Sequence, residues 1–362
     1  MKPSRLSALL MALSVSAAPS LASGINAIPE TPGWQGFVIL GVGYTSLESN
    51  EIAGNTLIDI GGDTITSVND AAQSDDAWHA VVTGEVNYTF RNQWQVFFGT
   101  SLEDAVTLEP AAQLGVRKGI GSSGILQGGL LFSGLPSDVW ADPYAEGVRR
   151  EATNRDAAGL RLSWDRILGS ALQFTFSYRG IDIETERSGQ GVTSVTCDTA
   201  CQDLLRRDGD QYFGELSYLF KLGGGQRHLL RPMVRYTIDN RDGDAISGDS
   251  YRLQLSYVYL GQGYTVASNV AVGGGSYDER NPIYGIRMDS RRLVVDATLF
   301  YRLPFASGRW HAVGSVLWGE QDSDVNFHDS EAFNVSVGAM YRFGGPSGAQ
   351  SQGNAPESEP VL

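Results

Sequence analysis

Alternation of apolar and polar residues over residues 77–90, AWHAVVTGEVNYTF, is the feature that most constrains how this chain can fold. One set of alternate residues is apolar, with aromatic side chains at both ends: Trp78, Ala80, Val82, Gly84, Val86, Tyr88 and Phe90. The other set is mostly polar: His79, Val81, Thr83, Glu85, Asn87 and Thr89. Successive side chains of a β-strand point to opposite faces, and amphipathic rings settle at the two interfaces of a bilayer. The pattern therefore predicts a strand that spans a membrane.

The same alternation recurs along the chain. Residues 172–178, 251–259 and 310–318 each carry an apolar residue at every second position, and most residues between them are polar. Counting such stretches predicts roughly fourteen strands, within the even-numbered range of bacterial barrels. Each stretch has about the ten residues that a tilted spanning strand needs.

Short and long connections alternate between these stretches. The short ones are residues 91–93, 119–124, 166–170, 222–226, 261–263 and 304–309. The long, polar ones are residues 48–76, 133–157, 184–209, 240–248, 277–290 and 320–330. Outer-membrane barrels have short periplasmic turns and long extracellular loops, whereas a soluble sandwich has no reason to keep this parity. The sequence predicts an all-β, transmembrane, antiparallel up-and-down β-barrel.

Composition agrees with this fold class. Mean hydropathy is −0.16, too low for a bundle of membrane helices, but only every second residue of a barrel strand faces lipid. The formal net charge of −14 argues against nucleic acid as a partner.

The N-terminus is typical of an export signal. Lys2 and Arg5 precede an apolar segment, and Ser20-Leu21-Ala22 supplies small residues for cleavage after Ala22. We therefore expect residues 1–22 to be a signal peptide and residues 23–343 to form the barrel in the outer membrane of a Gram-negative cell. Residues 344–362, rich in Gly, Ser, Gln and Pro, predict a disordered periplasmic tail.

Residues 36–55, GFVILGVGYTSLESNEIAGN, resemble the opening of a family of uncharacterised Gram-negative outer-membrane β-barrel proteins, a domain of unknown function. The resemblance implies an outer-membrane barrel. It implies no assigned activity.

Charged residues on the polar faces are the candidate lining of a pore. The predicted lining residues are Glu85, Arg117, Arg161, Arg179, Glu215, Arg231, Arg235, Arg252, Asp296, Arg302 and Arg342. They have two interpretations: pairing across strands that keeps the interior wet, or a basic excess that favours anions or sugars carrying carboxylates. Arg231, Arg235 and Arg252 lie on strands expected to pair directly, so a local basic ladder is predicted, with Glu215 able to neutralise one of its members.

Cys197 and Cys201 are the only cysteines and lie in a long polar loop. In an oxidising compartment such a pair normally forms a disulfide. A metal site would need further soft ligands, so we predict a disulfide and no metal.

The first long loop, residues 48–76, is rich in Asp and Glu and lacks Lys and Arg. The simplest interpretation is a solvated acidic loop. The alternatives are divalent cations bridging it to lipopolysaccharide, or a lid over the pore.

Catalysis is not predicted. The four histidines are His79, His228, His311 and His328, and no nucleophile motif accompanies them. No phosphate loop, zinc spacing or cofactor motif is present in the sequence, so no cofactor is expected.

These observations predict an outer-membrane, porin-like channel for small hydrophilic solutes, among them anions or sugars. Its partners would be membrane lipid, lipopolysaccharide and the solutes. The alternative is a closed or plugged barrel that acts as a surface adhesin or lipid-handling protein, and an outer-membrane hydrolase is the weaker third hypothesis.

Overall fold

The alternating stretches form a closed barrel of fourteen antiparallel strands in the computed structural model, which describes residues 28–344 except 56–57, 101–111, 133–136, 224 and 305–307. The barrel strands are β1 (Gly33–Glu48), β2 (Ser74–Thr89), β3 (Trp94–Gly99), β4 (Ala112–Gly119), β5 (Ile125–Phe132), β6 (Ala152–Asp165), β7 (Leu172–Ile183), β8 (Gly209–Tyr218, continued by Phe220–Leu222), β9 (His228–Arg241), β10 (Gly248–Leu260), β11 (Tyr264–Tyr277), β12 (Ser290–Arg302), β13 (Trp310–Ser323) and β14 (Ser330–Phe343). The predicted fold class is confirmed. The predicted signal peptide and residues 345–362 of the predicted tail lie outside the described residues.

Pairing of the first strand with the last closes the barrel. β1 pairs with β14 from Gly36 opposite Phe343 to Glu48 opposite Glu331. The other barrel strands pair with their neighbours in sequence. Closure matters because lipid cannot hydrogen-bond the N–H and C=O groups that an open edge would expose.

The two ends of the barrel differ in their connections, and we call them the turn end and the loop end. At the turn end, β2 and β3 are joined by a tight turn in which the Phe90 amide donates to the Trp94 carbonyl oxygen at 2.7 Å. At the loop end, β1 and β2 are separated by residues 49–73, and β7 and β8 by residues 184–208.

The loops contain short elements of their own. Ile52–Asn55 pairs with Ile58–Asp59 and with Ser137–Trp140, which also pairs with β6. The helix α1 (Thr199–Leu204) lies between β7 and β8. Single 3-10 turns occur at Gly121–Ser123, Ile167–Gly169 and Asn326–His328. Within the described ranges, no helix has the length and apolar character needed to cross a bilayer.

The outer surface of the barrel carries the apolar face that the alternation predicted. Leu40, Val82 and Val337 are 57%, 59% and 60% exposed. Aromatic pairs lie at both ends of the outer surface on β1 and β2. The ring centroids of Trp34 and Tyr88 are 5.0 Å apart at the turn end, and those of Tyr44 and Trp78 are 5.4 Å apart at the loop end. An apolar band between two aromatic belts is the arrangement expected of a surface in contact with lipid.

Substitution on the two faces of β2 tests this orientation. We expect Val82→Arg to destabilise the barrel by about 2–4 kcal/mol because it places a charge in the middle of the apolar band. Thr83→Arg, on the lumen side of the same strand, should fold. Urea titration of both variants refolded in lipid vesicles measures the difference. Equal tolerance of the two substitutions would show that the facing of β2 is wrong.

Candidate functional site

Glu85 and Arg117, two of the predicted lining residues, form a buried ion pair inside the barrel. Arg117 Nη1 donates to Glu85 Oε1 at 3.0 Å, and Arg117 Nη2 donates to Glu85 Oε2 at 2.9 Å. Arg117 Nη1 also donates to Gln95 at 2.9 Å, and its guanidinium lies 3.9 Å from the ring centroid of Phe97. This bidentate ion pair neutralises both charges, and together with the bond to Gln95 it links β2, β3 and β4.

Glu215 neutralises much of the predicted basic ladder. Arg235 donates to Glu215 Oε2 at 2.5 Å from Nη2 and at 3.1 Å from Nε. Arg231 lies 3.9 Å from the other carboxylate oxygen and donates to Ser217 at 2.9 Å and to Gln173 at 2.7 Å. The sequence predicted that Glu215 neutralises one arginine, and the structure places it against both.

The remaining predicted lining residues are spread over the lumen. Arg161, Arg179 and Arg252 point inward from β6, β7 and β10. Asp296 is buried and accepts a hydrogen bond from the Asn269 side chain at 2.9 Å. Arg302 and Arg342 lie at the turn end, where Arg302 is exposed and Arg342 partly buried.

Three inward-facing arginines were missed because they lie at strand ends next to polar loops. Arg155 is on β6, Arg241 is on β9, and Arg292 is on β12. The signal that could have found them is parity, since Arg155 is an even number of residues from Arg161, and Arg241 from Arg235. Arg155 and Arg241 were missed because the predicted polar loops 133–157 and 240–248 extended into the ends of β6 and β9.

An apolar cluster lies in the turn-end half of the lumen, on the wall formed by β1, β2 and β12 to β14. Six buried residues pack together: Phe37, Ile39, Val81, Phe300, Val313 and Met340. β1 is apolar on both faces over part of its length, so its inner face meets the aliphatic and aromatic side chains of β12, β13 and β14. The Glu85–Arg117 pair and Arg231 also lie toward the turn end, so the apolar cluster covers one wall of that half of the barrel and charged residues lie on the other strands.

Loop residues form a second apolar core over the loop end, which we call the loop cap. Its buried members are Ile65, Val68, Tyr144, Leu205, Ile283, Met288, Val325 and Phe327. The Tyr144 and Phe327 rings stack with centroids 5.3 Å apart. The Tyr284 hydroxyl donates to the Val68 carbonyl oxygen at 2.9 Å. The loops therefore pack on one another above the mouth of the barrel instead of extending separately into solvent.

Glu146 joins three loops of the cap through one buried carboxylate. It accepts hydrogen bonds from the amides of Val68 at 2.9 Å, Thr193 at 2.8 Å and Ser194 at 2.7 Å, and from the Thr193 hydroxyl at 2.8 Å. Burial alone would raise the pKa of Glu146, but these donors outweigh it and lower the pKa to about 2. The carboxylate therefore stays ionised and holds the loops together at neutral pH.

A second set of polar contacts joins the loop after β1 to the loop before β14. His328 Nδ1 and Glu51 Oε1 are 3.0 Å apart, and the Asn50 side chain donates to the Phe327 carbonyl oxygen at 3.2 Å. Burial would raise the pKa of Glu51, but His328, with the more distant Arg207 and Arg292, lowers it.

The predicted acidic loop and cysteine pair both belong to the cap region. Cys197 and Cys201 form a disulfide, and both side chains pack against the cap core. Asp63 in the acidic loop forms an ion pair with Arg149 at 2.8 Å, and Asp75 accepts from the Gly61 amide at 2.9 Å. In the part of the chain that the structure describes, no three His, Cys, Asp or Glu side chains come together as a metal site.

Comparisons with known proteins identify a family. The model of the family described as "Protein of unknown function (DUF2860)" matches residues 33–342, which cover the barrel from β1 to β14. No curated protein matches the sequence.

Solved structures similar to this chain are outer-membrane proteins. The chain is similar to a loop L8 deletion mutant of OmpT from Vibrio cholerae, with 13% identity, coverage of 85% of this chain and 99% of the other, and a TM-score of 0.39. It is similar to the channel DcaP of Acinetobacter baumannii, with 11% identity, 86% and 97% coverage and a TM-score of 0.40. An outer membrane channel from Pseudomonas putida F1 has 10% identity, 88% and 98% coverage and a TM-score of 0.42.

Removal of the Glu146 charge tests how the cap is held. We expect Glu146→Gln to weaken the cap by about 1.5–3 kcal/mol, because a buried set of donors loses its ionised acceptor. The exposed Glu151, which pairs with Arg187 at 2.7 Å, provides the matched control Glu151→Gln. Hydrogen exchange at the Val68, Thr193 and Ser194 amides should rise in the first variant alone. Unchanged protection in Glu146→Gln would mean that the apolar core holds the cap without it.

The pH dependence of the same amides follows from the lowered pKa. The ionised Glu146 stabilises the cap fully above its ordinary pKa of 4.5, and this stabilisation is lost as the pH falls toward about 2. Protection factors of the Val68 and Thr193 amides should therefore be constant from pH 7 to about 4.5 and fall below it. Protection that stays constant below pH 4.5 would contradict this role of the Glu146 carboxylate.

Proposed function

We propose that this chain, which belongs to the DUF2860 family of proteins of unknown function, is an outer-membrane channel for small hydrophilic solutes that is gated by its loop cap. The observation that supports the proposal most is the contrast between the two surfaces of the barrel. The outside is an apolar band between aromatic belts, whereas the loop-end half of the inside carries charged and partly exposed arginines. A barrel that served only as an anchor would have no need of them, because packed apolar side chains fill an interior at lower free energy than unneutralised charges.

The loop cap supplies the gate. Its loops meet through side-chain contacts, carboxylate–amide hydrogen bonds and short backbone pairings such as that of Ile52–Asn55 with Ser137–Trp140. The barrel strands are instead held by long continuous backbone ladders. Such contacts open at a lower free energy than a strand ladder, so the cap is the part of the molecule suited to movement.

Localisation follows from the same proposal. We place the turn end in the periplasm and the loop end outside the cell, with residues 1–22 as the export signal and residues 345–362 in the periplasm. Membrane lipid and lipopolysaccharide would surround the barrel. We propose no catalytic activity and no nucleic-acid partner.

Planar-bilayer recording tests the channel. The wild type should insert and give brief openings, and Glu146→Gln should raise the ratio of open to closed time about tenfold or more by weakening the cap. Glu151→Gln should match the wild type. If all three proteins insert and none conducts, the channel is excluded and the closed barrel, acting as an adhesin or lipid-handling protein, takes its place.

Labelling of intact cells tests the assignment of sides. A single cysteine introduced for labelling between residues 184 and 208, in a chain with Cys197 and Cys201 replaced by Ser, should react with an impermeant maleimide. One placed at Gln262, in the turn between β10 and β11, should react only after the outer membrane is opened. Reaction at Gln262 in intact cells would reverse the proposed orientation.

A further inference from the structure

A groove on the outer surface of the barrel crosses β7 to β11 within the apolar band. It has a volume of about 480 Å³, a size typical of sites that hold small organic ligands. Its outward-facing side chains are aliphatic except for one tyrosine, and most of them are exposed: Leu172, Leu216, Tyr218, Pro232, Val234, Leu253, Leu255, Val270 and Val272. Such a lining favours a hydrocarbon chain as the occupant.

Toward the turn end, aromatic side chains replace the aliphatic ones. On β10, Tyr257 and Tyr259 follow Leu255 at the next two outward positions, and His228 on β9 lies opposite Tyr259. His228 Nδ1 and the Tyr257 hydroxyl are 2.7 Å apart. Tyrosines of a barrel mark the level of the lipid headgroups. From His228 to Pro232 is about 13 Å along the strand, less than the ~15 Å of one hydrocarbon leaflet, so a chain that starts at headgroup level reaches the groove.

Two exposed cations flank the turn next to these aromatic residues. Lys221 lies at the end of β8, and Arg227 directly precedes β9. The Arg227 carbonyl oxygen accepts from the Leu260 amide at 2.8 Å, which places Arg227 beside the end of β10. Residues 216–238 and 250–277, which include this turn and the turn between β10 and β11, contain no Asp or Glu. The turn end of this wall is therefore basic.

The loop end of the same outer surface carries the opposite charge. Asp182, Asp210 and Asp249 lie at outward positions of β7, β8 and β10, beyond the apolar band. The Tyr178 hydroxyl donates to Asp210 at 2.9 Å, so this carboxylate lies next to the aromatic belt. Carboxylates repel an anionic headgroup and cations attract it. Electrostatics on this wall thus favour an anionic amphiphile whose headgroup lies at the turn end.

We propose that this wall binds an anionic phospholipid, with its phosphate at Lys221 and Arg227 and one acyl chain in the groove. A second copy of the chain fits less well. Two barrels in one membrane share an orientation, so contact through this wall would set carboxylates against carboxylates at one end and cations against cations at the other. The inference rests on the proposed function only in that it assigns the lipid to the periplasmic leaflet.

Native mass spectrometry of the folded protein in a neutral detergent tests the site. Phosphatidylglycerol and phosphatidylcholine with identical acyl chains are the probes. We expect one phosphatidylglycerol to bind about fivefold or more tightly than phosphatidylcholine. Lys221→Gln and Arg227→Gln should each weaken phosphatidylglycerol binding about fivefold, because each removes one interfacial cation. Arg91→Gln, which removes an exposed cation from the turn between β2 and β3, should bind as the wild type does.

A substitution in the groove tests the contact with the acyl chain. Val234→Phe places a larger side chain in the groove and should weaken phosphatidylglycerol binding about threefold or more, because the acyl chain loses contacts there. Val337→Phe, at an exposed outward position of β14 away from the groove, is the matched control. Glycerol phosphate carries the phosphate without acyl chains and should not displace the lipid.

The outcomes separate the lipid site from the channel. Equal binding of the two lipids, equal effects of Arg91→Gln and Arg227→Gln, or displacement by glycerol phosphate would overturn the site even if the protein conducts. Selective binding that is weakened by Arg227→Gln and Val234→Phe alone among these matched pairs supports the site even if no conductance is seen. The heat-dependent gel mobility of each variant reports whether its barrel has formed, and Val270→Phe replaces Val234→Phe if the latter fails to fold.

Discussion

The requirement that every backbone N–H and C=O group be paired within lipid underlies the rest of this structure. It forces the strands into one closed ladder, and closure brings β1 against β14 although almost the whole chain separates them. Once the ladder is closed, alternation sends one residue outward and the next inward along each strand. The apolar band, the charged lumen and the placement of the loops all follow from that geometry.

The interior is asymmetric around the barrel wall. Apolar side chains from β1, β2 and β12 to β14 meet on one wall of the turn-end half. Charged pairs such as Glu85–Arg117 and Glu215–Arg235 lie on the other strands, so the inward residues of each strand decide which kind of contact its wall makes.

Local sequence pattern predicted the strands well because strand facing depends only on the parity of neighbouring residues. Trp78 and Tyr88, at the two ends of β2, were assigned to the outer face from parity alone. The charge pairing was harder, since whether Glu215 engages Arg231, Arg235 or both depends on side-chain reach across a particular register. A lid was one alternative predicted for residues 48–76, but the contacts of the cap could not be predicted, because Glu146 finds its donors on Val68 and Thr193, residues that no local pattern connects.

The contacts of the cap also imply an order of assembly. Asn50 reaches the Phe327 carbonyl and Glu51 reaches His328 across 277 positions of sequence in each case. Contacts between such distant segments bring no favourable energy until the chain entropy of closing the intervening loop has been lost. Pairing of β1 with β14 brings the two segments together, so we expect a completed cap to form late in folding, in a barrel that has already closed.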